Sequence, residues 1–258
     1  MTRRLESAPD CSAQHEEVLS ALRAIGRPAL GLAIQRDRGS QLPHLGITVP
    51  ALRARVGQGF SFSRLPDAQV LVIWDALWRN SEYGDVLFAA IETYLPVVRK
   101  PMTPERVAQL WPVVKGWSAR VDNWCHSDAL SGIYSRLLQA DLDTVQPQLL
   151  RWNASNDLWL RRLSLTSLIH YSGKNAVFLS PAQMMPLLAA CVADTRPPVQ
   201  LALGWVLREL SRAHGGAVDL FLQHHGRAMS ALAFARAIER RSPGDRALLQ
   251  AWRKAGGG

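Results

Sequence analysis

Apolar residues recur at spacings of three and four along almost the whole chain, which is the pattern of amphipathic helices. Period-two runs rich in β-branched residues, which would predict strands, are scarce. Residues that end helices divide the chain into segments of roughly 10–18 residues. The pattern therefore predicts a nearly all-helical protein. The predicted breaks lie at Pro43 and Pro50, Pro66, 81–84, Pro101 and Pro104, Pro147, 172–173, Pro181, Pro197 and Pro198, 215–216 and 242–244.

Three segments share one internal pattern: 65–95, 145–171 and 181–210 each predict a helix, a short polar break and a second helix. Such pairs recur about every 35–45 residues, as in HEAT-like repeats. Stacked pairs form a curved solenoid whose concave face can hold an elongated partner. We therefore predict an all-α, right-handed superhelical solenoid of HEAT-like antiparallel helical repeats with a concave basic face. A single domain is expected over 12–255, after an N-terminal arm over 1–11.

The charge balance indicates an anionic partner. The 258 residues include 30 Lys and Arg against 21 Asp and Glu, a formal net charge of +9. Only four of the basic residues are lysines, which leaves 26 arginines. Because guanidinium groups make bidentate contacts with phosphate, this composition favours a partner that carries phosphate groups. A GC-rich coding bias is the alternative source of the arginines.

Other features narrow the class of protein. A hydrophobic fraction of 48% supports a packed core and excludes a disordered chain. The three cysteines are scattered, and no run is long and apolar enough for a signal peptide or a membrane span, so a cytoplasmic protein is expected. Phosphate-loop, serine-hydrolase and zinc-protease motifs are missing. Two adjacent pairs of possible metal ligands are present, Cys125-His126 and His224-His225. Neither pair has a second ligand cluster at matching spacing, so neither a metal nor another cofactor is expected.

Charged residues stand beside tryptophans at two places. Asp122 lies between Trp117 and Trp124, and one continuous helix would place all three on neighbouring faces. Arg161 and Arg162 interrupt a helix whose other face is apolar, so at least one guanidinium is expected to reach solvent, a carboxylate or phosphate. The structural alternatives are a helix cap for Asp122 and a solvated face for the arginines.

A third place is the run from Gly204 to Glu209. Gly204 allows another group to approach the backbone closely, and it is followed by Trp205 and Arg208. Trp205 can equally be a core residue. Most of the nine tryptophans are expected at helix–helix interfaces.

Four segments resemble, in order, the motifs of the AlkD-type DNA alkylation repair glycosylases, and the resemblance extends from about residue 15 to 241. It implies a DNA glycosylase that hydrolyses the N-glycosidic bond of cationic N7-alkylguanine and N3-alkyladenine in duplex DNA, without base flipping. The implied partner is alkylated duplex DNA, bound by a monomeric bacterial protein associated with the nucleoid. The segments are LGITVPALR (45–53), KGWSARVD (115–122), NASNDLWLRRLSL (153–165) and GWVLREL (204–210).

The resemblance also implies roles for individual residues. Asp122 is the implied catalytic aspartate, and Arg162 and Trp205 complete the implied catalytic set. Arg208 is an implied phosphate contact. The remaining DNA-binding candidates are Arg161, Trp117, Trp124, Ser118 and Thr48.

Two positions depart from the family pattern. Ser118 stands where the family has an aromatic residue, and Thr48 stands where it often has glutamine. Trp117 or Trp124 is a candidate to replace the missing aromatic side chain, or the smaller Ser118 opens the site to a larger lesion.

The implied chemistry fits these residue types. Loss of a cationic purine leaves positive charge on the deoxyribose, which a carboxylate and indole faces can stabilise. Three alternatives stay open: a glycosylase of this fold for bulky adducts, as in antibiotic self-resistance; a non-catalytic protein that binds damaged or branched DNA; and a repeat scaffold for protein partners. The basic stretch 227–254 is either a solvated cap or a clamp on the DNA backbone.

Overall fold

The computed structural model describes residues 10–170 and 175–255. Within those residues it has fourteen α-helices, two short 3-10 helices and no strand, and an isolated antiparallel bridge joins Ile169 to Val177. The prediction of an all-α fold is confirmed. The helices are α1 (Ser12–Arg23), α2 (Pro28–Arg38), α3 (Val49–Gly57), α4 (Asp67–Asn80), α5 (Gly84–Val98), α6 (Pro104–Val114), α7 (Trp124–Ala140), α8 (Leu142–Asn153), α9 (Leu158–Thr166), α10 (Pro181–Ala189), α11 (Pro197–Ala213), α12 (Gly215–His225), α13 (Ala231–Ala237) and α14 (Pro243–Lys254).

The chain divides into two compact units, Met1–Ile133 and Tyr134–Gly258, and the boundary falls within α7. In the first unit α5 is buried along most of its length and contacts α1, α3 and α4. Trp74 and Trp78 on α4 are fully buried in this core. Tryptophan side chains therefore fill the first unit, as the sequence predicts for most of them.

The second unit is organised around α11, which contacts α9, α12 and α13. Gly204 permits the contact with α13, because a Cβ atom at this position would lie only 2.4 Å from the carbonyl oxygen of Ala233. The close backbone approach that Gly204 predicts is therefore made by a helix of the same chain.

The three predicted helical pairs correspond to α4 with α5, α8 with α9, and α10 with α11. α1 begins at Ser12, where ordered structure was expected to start. Side chains cap two of the helices: that of Thr103 accepts a hydrogen bond from the first turn of α6, and that of Asp157 accepts two from α9. Residues 1–9 of the predicted arm and the predicted break at 172–173 lie outside the described residues.

The predicted break at Pro147 is wrong, because α8 runs through it without interruption. Proline removes one backbone hydrogen bond from a helix interior. Here the proline ring is exposed, whereas Val145, Leu149 and Trp152 bury the opposite face of the helix. Burial of that face outweighs the lost hydrogen bond.

None of the helices in the described residues is both long enough and apolar enough to cross a membrane.

Candidate active site

Asp122 does not lie on a continuous helix with its neighbouring tryptophans, so that prediction is wrong. Lys115–Arg120 is a 3-10 helix, the backbone is extended at Val121, and α7 begins only at Trp124. Asn123 starts α7, since its side-chain Oδ1 accepts a hydrogen bond of 2.9 Å from the N–H of His126. The helix start therefore places Asp122 in a short non-helical link.

The carboxylate of Asp122 is held by donors from the segment that follows α2. The hydroxyl of Ser40 donates to Oδ2 at 2.8 Å, and the backbone N–H groups of Gln41 and Leu42 donate to the same oxygen at 2.6 and 3.3 Å. On the other side, Nδ2 of Asn123 donates to Oδ1 at 2.7 Å. These contacts fix both oxygens of the carboxylate.

The same contacts determine the charge of Asp122. Burial alone would raise the pKa of its carboxyl group, but the hydrogen bonds from Asn123, Ser40 and Gln41 outweigh burial and hold the pKa below its ordinary value. Asp122 is therefore ionised at neutral pH. Asp122 as a whole residue is only half-buried.

Trp124 is an aromatic residue with exposed surface that lies close to Asp122 in the chain. It follows Asp122 by two positions, is 41% exposed, and its Nε1 lies 3.5 Å from the carbonyl oxygen of Asp37. A ring with free surface next to an anionic group can contact a cation or a base.

Trp117 and Ser118 are placed differently from the prediction. The indole of Trp117 is fully buried, stacks on Trp78 at a centroid distance of 4.9 Å, and donates from Nε1 to the Asp75 carboxylate at 3.0 Å. Ser118 is buried and donates to the carbonyl of Lys115 at 2.8 Å. Direct contacts of Trp117 and Ser118 with DNA do not fit this burial, because neither side chain has the surface to make them.

Thr48 keeps an exposed side chain at the start of α3. Two residues earlier, Gly46 has φ +82°, in the left-handed region that favours glycine, and a Cβ atom there would lie 1.9 Å from the carbonyl oxygen of Arg27. The first motif of the resemblance therefore fixes a backbone turn, and Thr48 is its exposed polar residue.

Arg161 and Arg162 belong to the second unit and use their guanidinium groups inside it. Nη1 of Arg162 donates to the carbonyl oxygen of Pro198 at 2.5 Å, and this residue is only 6% exposed. Arg161 donates to the carbonyl of Ala190 at 2.8 Å and lies 3.4 Å from the carboxylate of Asp194. A direct phosphate contact by Arg162 does not fit its burial; both arginines instead join α9 to the residues that follow α10.

We expect Arg162→Ala to lower the free energy of unfolding by about 1.5–3 kcal/mol, because it removes the charged hydrogen bond that the buried Arg162 makes to the carbonyl group of Pro198. Chemical denaturation monitored by circular dichroism measures this change. Arg151→Ala, at an exposed position on α8, is the matched control and should leave stability nearly unchanged. Equal stability of the two variants would contradict the internal role of Arg162.

Arg208 and Trp205 also lie in the second unit, on α11. Arg208 binds Glu239 at 2.7 Å and Glu209 at 2.9 Å, and it is largely buried. Its predicted phosphate contact therefore competes with two internal carboxylates. Trp205 is partly exposed, so some of its surface can contact a ligand.

The basic stretch 227–254 is tied to the second unit by its own arginines. Arg253 donates to the carbonyl groups of Gly226 and Met229 at 3.0 and 2.6 Å, and Arg241 pairs with Asp219 at 2.5 Å. Such contacts favour a structural cap over a DNA clamp.

Sequence reasoning missed the groups that hold Asp122. Ser40 lies 82 positions away in the chain, and no motif connects the two residues. Asn123 could have been found, since an asparagine directly before an apolar-periodic run is a cap signal. Among the described residues, no group of three His, Cys, Asp or Glu side chains is arranged to hold a metal ion.

The fold and the site define an all-helical protein with a fixed, ionised carboxylate in a half-buried residue. The chain belongs to the family of DNA alkylation repair enzymes, whose model matches residues 18–240, and the resemblance drawn from the four motifs is thereby confirmed. The solved structure of a predicted DNA alkylation repair enzyme from Enterococcus faecalis is similar in fold, with a TM-score of 0.68, 16% identity, and coverage of 84% of this chain and 97% of that chain. No curated protein matches the sequence significantly. A role in DNA repair follows from the family.

Proposed function

We propose that the protein is a monofunctional DNA glycosylase that hydrolyses the N-glycosidic bond of cationic alkylated purines in duplex DNA. The observation that carries this proposal is the Asp122 carboxylate, which is ionised and fixed by hydrogen bonds from Ser40, Gln41 and Asn123. Asp122 is half-buried and stands two positions before the exposed Trp124. Membership of the repair family supports it.

The proposed reaction requires mainly that the protein place a negative charge close to the sugar. The purine leaves as a neutral base with the electrons of the broken bond, water adds to C1′, and a proton is released. Positive charge develops on the sugar during this step. A carboxylate fixed in advance stabilises that charge without having to reorganise, and an indole face adds a weaker attraction. In this proposal Asp122 faces the sugar and Trp124 contacts the nucleotide. Trp205, in the second unit, is proposed as a further contact with DNA.

Other arginines must then bind the phosphates, because Arg162 and Arg208 are used internally. Arg36 and Arg38 lie on the last turn of α2, just before the residues that hold Asp122. Arg36 is exposed, and the guanidinium of Arg38 lies 5.7 Å from the ring of Phe88. We therefore assign the phosphate contact next to the lesion to this turn.

We expect Arg36→Ala to weaken duplex binding and to reduce the slope of log K against log salt concentration by about 0.9, the value for one lost phosphate contact. Fluorescence anisotropy at several salt concentrations measures this slope. Arg99→Ala is the matched control, because it removes the same charge from an exposed position at the C-terminal end of α5. The other end of that helix, at Gly84, is the end that lies against His44. A slope unchanged by Arg36→Ala, or changed equally by both variants, would remove Arg36 from the phosphate contacts.

The proposal is tested by incubating the protein with duplexes that carry N7-methylguanine, N3-methyladenine or a bulky N3-alkyladenine, and by measuring the free base. Release of the methylated bases is the expected result. A strong preference for the bulky adduct would identify the self-resistance type of glycosylase. Binding without release of any base would identify a non-catalytic DNA-binding protein. We further propose that the protein acts as a monomer on chromosomal DNA in the bacterial cytoplasm.

A further inference from the structure

The buried side chain of Asn123 makes three contacts: with the backbone of His126, with the carboxylate of Asp122 and with the ring of His126. It is fully buried, and the carbonyl oxygen of its amide accepts the N–H of His126 at the start of α7. A backbone N–H can only donate, so this contact fixes which end of the amide is oxygen and which is nitrogen. The nitrogen end must then face the opposite way, toward Asp122.

The nitrogen Nδ2 has two neighbours. It lies 2.7 Å from Oδ1 of Asp122 and 3.0 Å from Nδ1 of the His126 ring. Because Nδ2 carries only hydrogens, Nδ1 of His126 has to be an acceptor, which requires a neutral imidazole with its proton on Nε2. A protonated His126 would place two donors against each other.

The surroundings of His126 favour the neutral form. Burial, together with the neighbouring His44 and Arg38, lowers the pKa of His126 to about 3, and the opposite effect of Asp122 is smaller. The His44 and His126 rings lie 6.0 Å apart, and His44 is itself 3.3 Å from the buried carboxylate of Asp85. The imidazole of His126 is therefore neutral, and Nδ1 an acceptor, at neutral pH.

We propose that Asn123 and His126 form a positioning pair that fixes the orientation of the Asp122 carboxylate for the reaction. His126 holds the amide nitrogen of Asn123 in place, and that nitrogen holds Oδ1 of Asp122 while Ser40 and the backbone hold Oδ2. Neither positioning residue touches the substrate. This inference rests on the proposed function, in which Asp122 is the catalytic carboxylate.

The cap and the positioning role can be separated experimentally. Serine and aspartate are about as good as asparagine at the start of a helix, so Asn123→Ser and Asn123→Asp keep the cap of α7. Neither variant retains the amide nitrogen that donates to Asp122. Any effect on Asp122 that both variants share therefore reports the lost donor.

The first measurement is the titration of the Asp122 carboxyl carbon by nuclear magnetic resonance in the wild type and both variants. Loss of the donor should move the Asp122 titration to higher pH in Asn123→Ser. It should move further in Asn123→Asp, where a second carboxylate adjoins the first. The charged and titratable neighbours, Arg120 next to Asp122 and His44, Arg38 and Asp85 around His126, are the same in all three proteins.

The second measurement is the pH profile of base release from a duplex containing N7-methylguanine, under single-turnover conditions. Asn123→Ser should move the acid limb to higher pH and lower the plateau rate on the order of tenfold, because the carboxylate is less well oriented. Folded variants with an unmoved Asp122 titration would overturn the proposal. Unfolding of both variants would overturn it as well, since the buried contacts of Asn123 would then serve the fold and not the orientation of Asp122. If the wild type releases no base, the proposed function fails, but the titration still decides the positioning role.

Discussion

Replacement of Asp122 by asparagine is expected to reduce the release of N7-methylguanine on the order of 10²–10³-fold, with DNA binding retained. The substitution removes the negative charge that opposes the positive charge of the transition state. The asparagine oxygen can still accept from the N–H of Gln41, so the segment after α2 keeps its main anchor. Single-turnover release at saturating protein, together with anisotropy for binding, separates the two effects.

Asp37→Asn is the matched control for this experiment. Asp37 is an exposed carboxylate near the end of α2, and its backbone oxygen lies beside the indole of Trp124. The control removes the same charge close to the site but no contact with Asp122. Base release that survives in the Asp122 variant, or falls equally in both variants, would show that the Asp122 charge is not the catalytic feature.

The second large effect is expected for Trp117→Ala, which should lower the free energy of unfolding by about 3–5 kcal/mol. The substitution leaves a cavity beside the stacked ring of Trp78 and removes the hydrogen bond to Asp75. Denaturant unfolding measures the change. At temperatures where the variant is still folded, its base release should stay close to that of the wild type, because the buried indole contacts no DNA.

Trp124→Ala is expected to have the opposite effects to Trp117→Ala, with a loss of activity and little loss of stability. Its side chain is partly exposed, so the loss in stability should be below about 1 kcal/mol. Base release and lesion binding should fall, since the exposed ring beside Asp122 is lost. If Trp117→Ala reduced activity without loss of stability, the burial of Trp117 could not describe the DNA-bound protein.

The fold was largely predictable from the sequence because helix formation and helix ends depend on nearby residues. Proline at the first turn of α6 and α10, and the polar break between α4 and α5, are local signals, and they gave the right boundaries. The helix break predicted at Pro147 is wrong because burial of the opposite face of α8 outweighs one missing hydrogen bond, and this burial cannot be predicted from the local sequence.

The candidate site was only partly predictable. Asp122 could be found from its motif, but its partners Ser40, Gln41 and Leu42 come from a distant segment that only the folded chain brings to it. Trp117 and Trp124 show the same limit, since nothing in their spacing says that the first is buried and the second exposed.

The roles of the individual arginines were also only partly predictable. Composition indicates an anionic partner, but it does not say which guanidinium groups are free to bind it. Arg162 and Arg208 bind carbonyl and carboxylate groups inside the second unit. An excess of arginine therefore serves internal contacts as well as any DNA surface, and the exposed Arg36 was not marked by a motif.

We propose that this protein cleaves the N-glycosidic bond of an alkylated purine by means of Asp122. Mass spectrometry of the free base released from a duplex with one N7-methylguanine, with excess wild-type protein and correction for spontaneous loss, tests this proposal. We expect enzyme-dependent release of N7-methylguanine with one abasic site for each base released, and loss of that release in Asp122→Asn. Full occupancy of the duplex with release no faster than the spontaneous rate would contradict it.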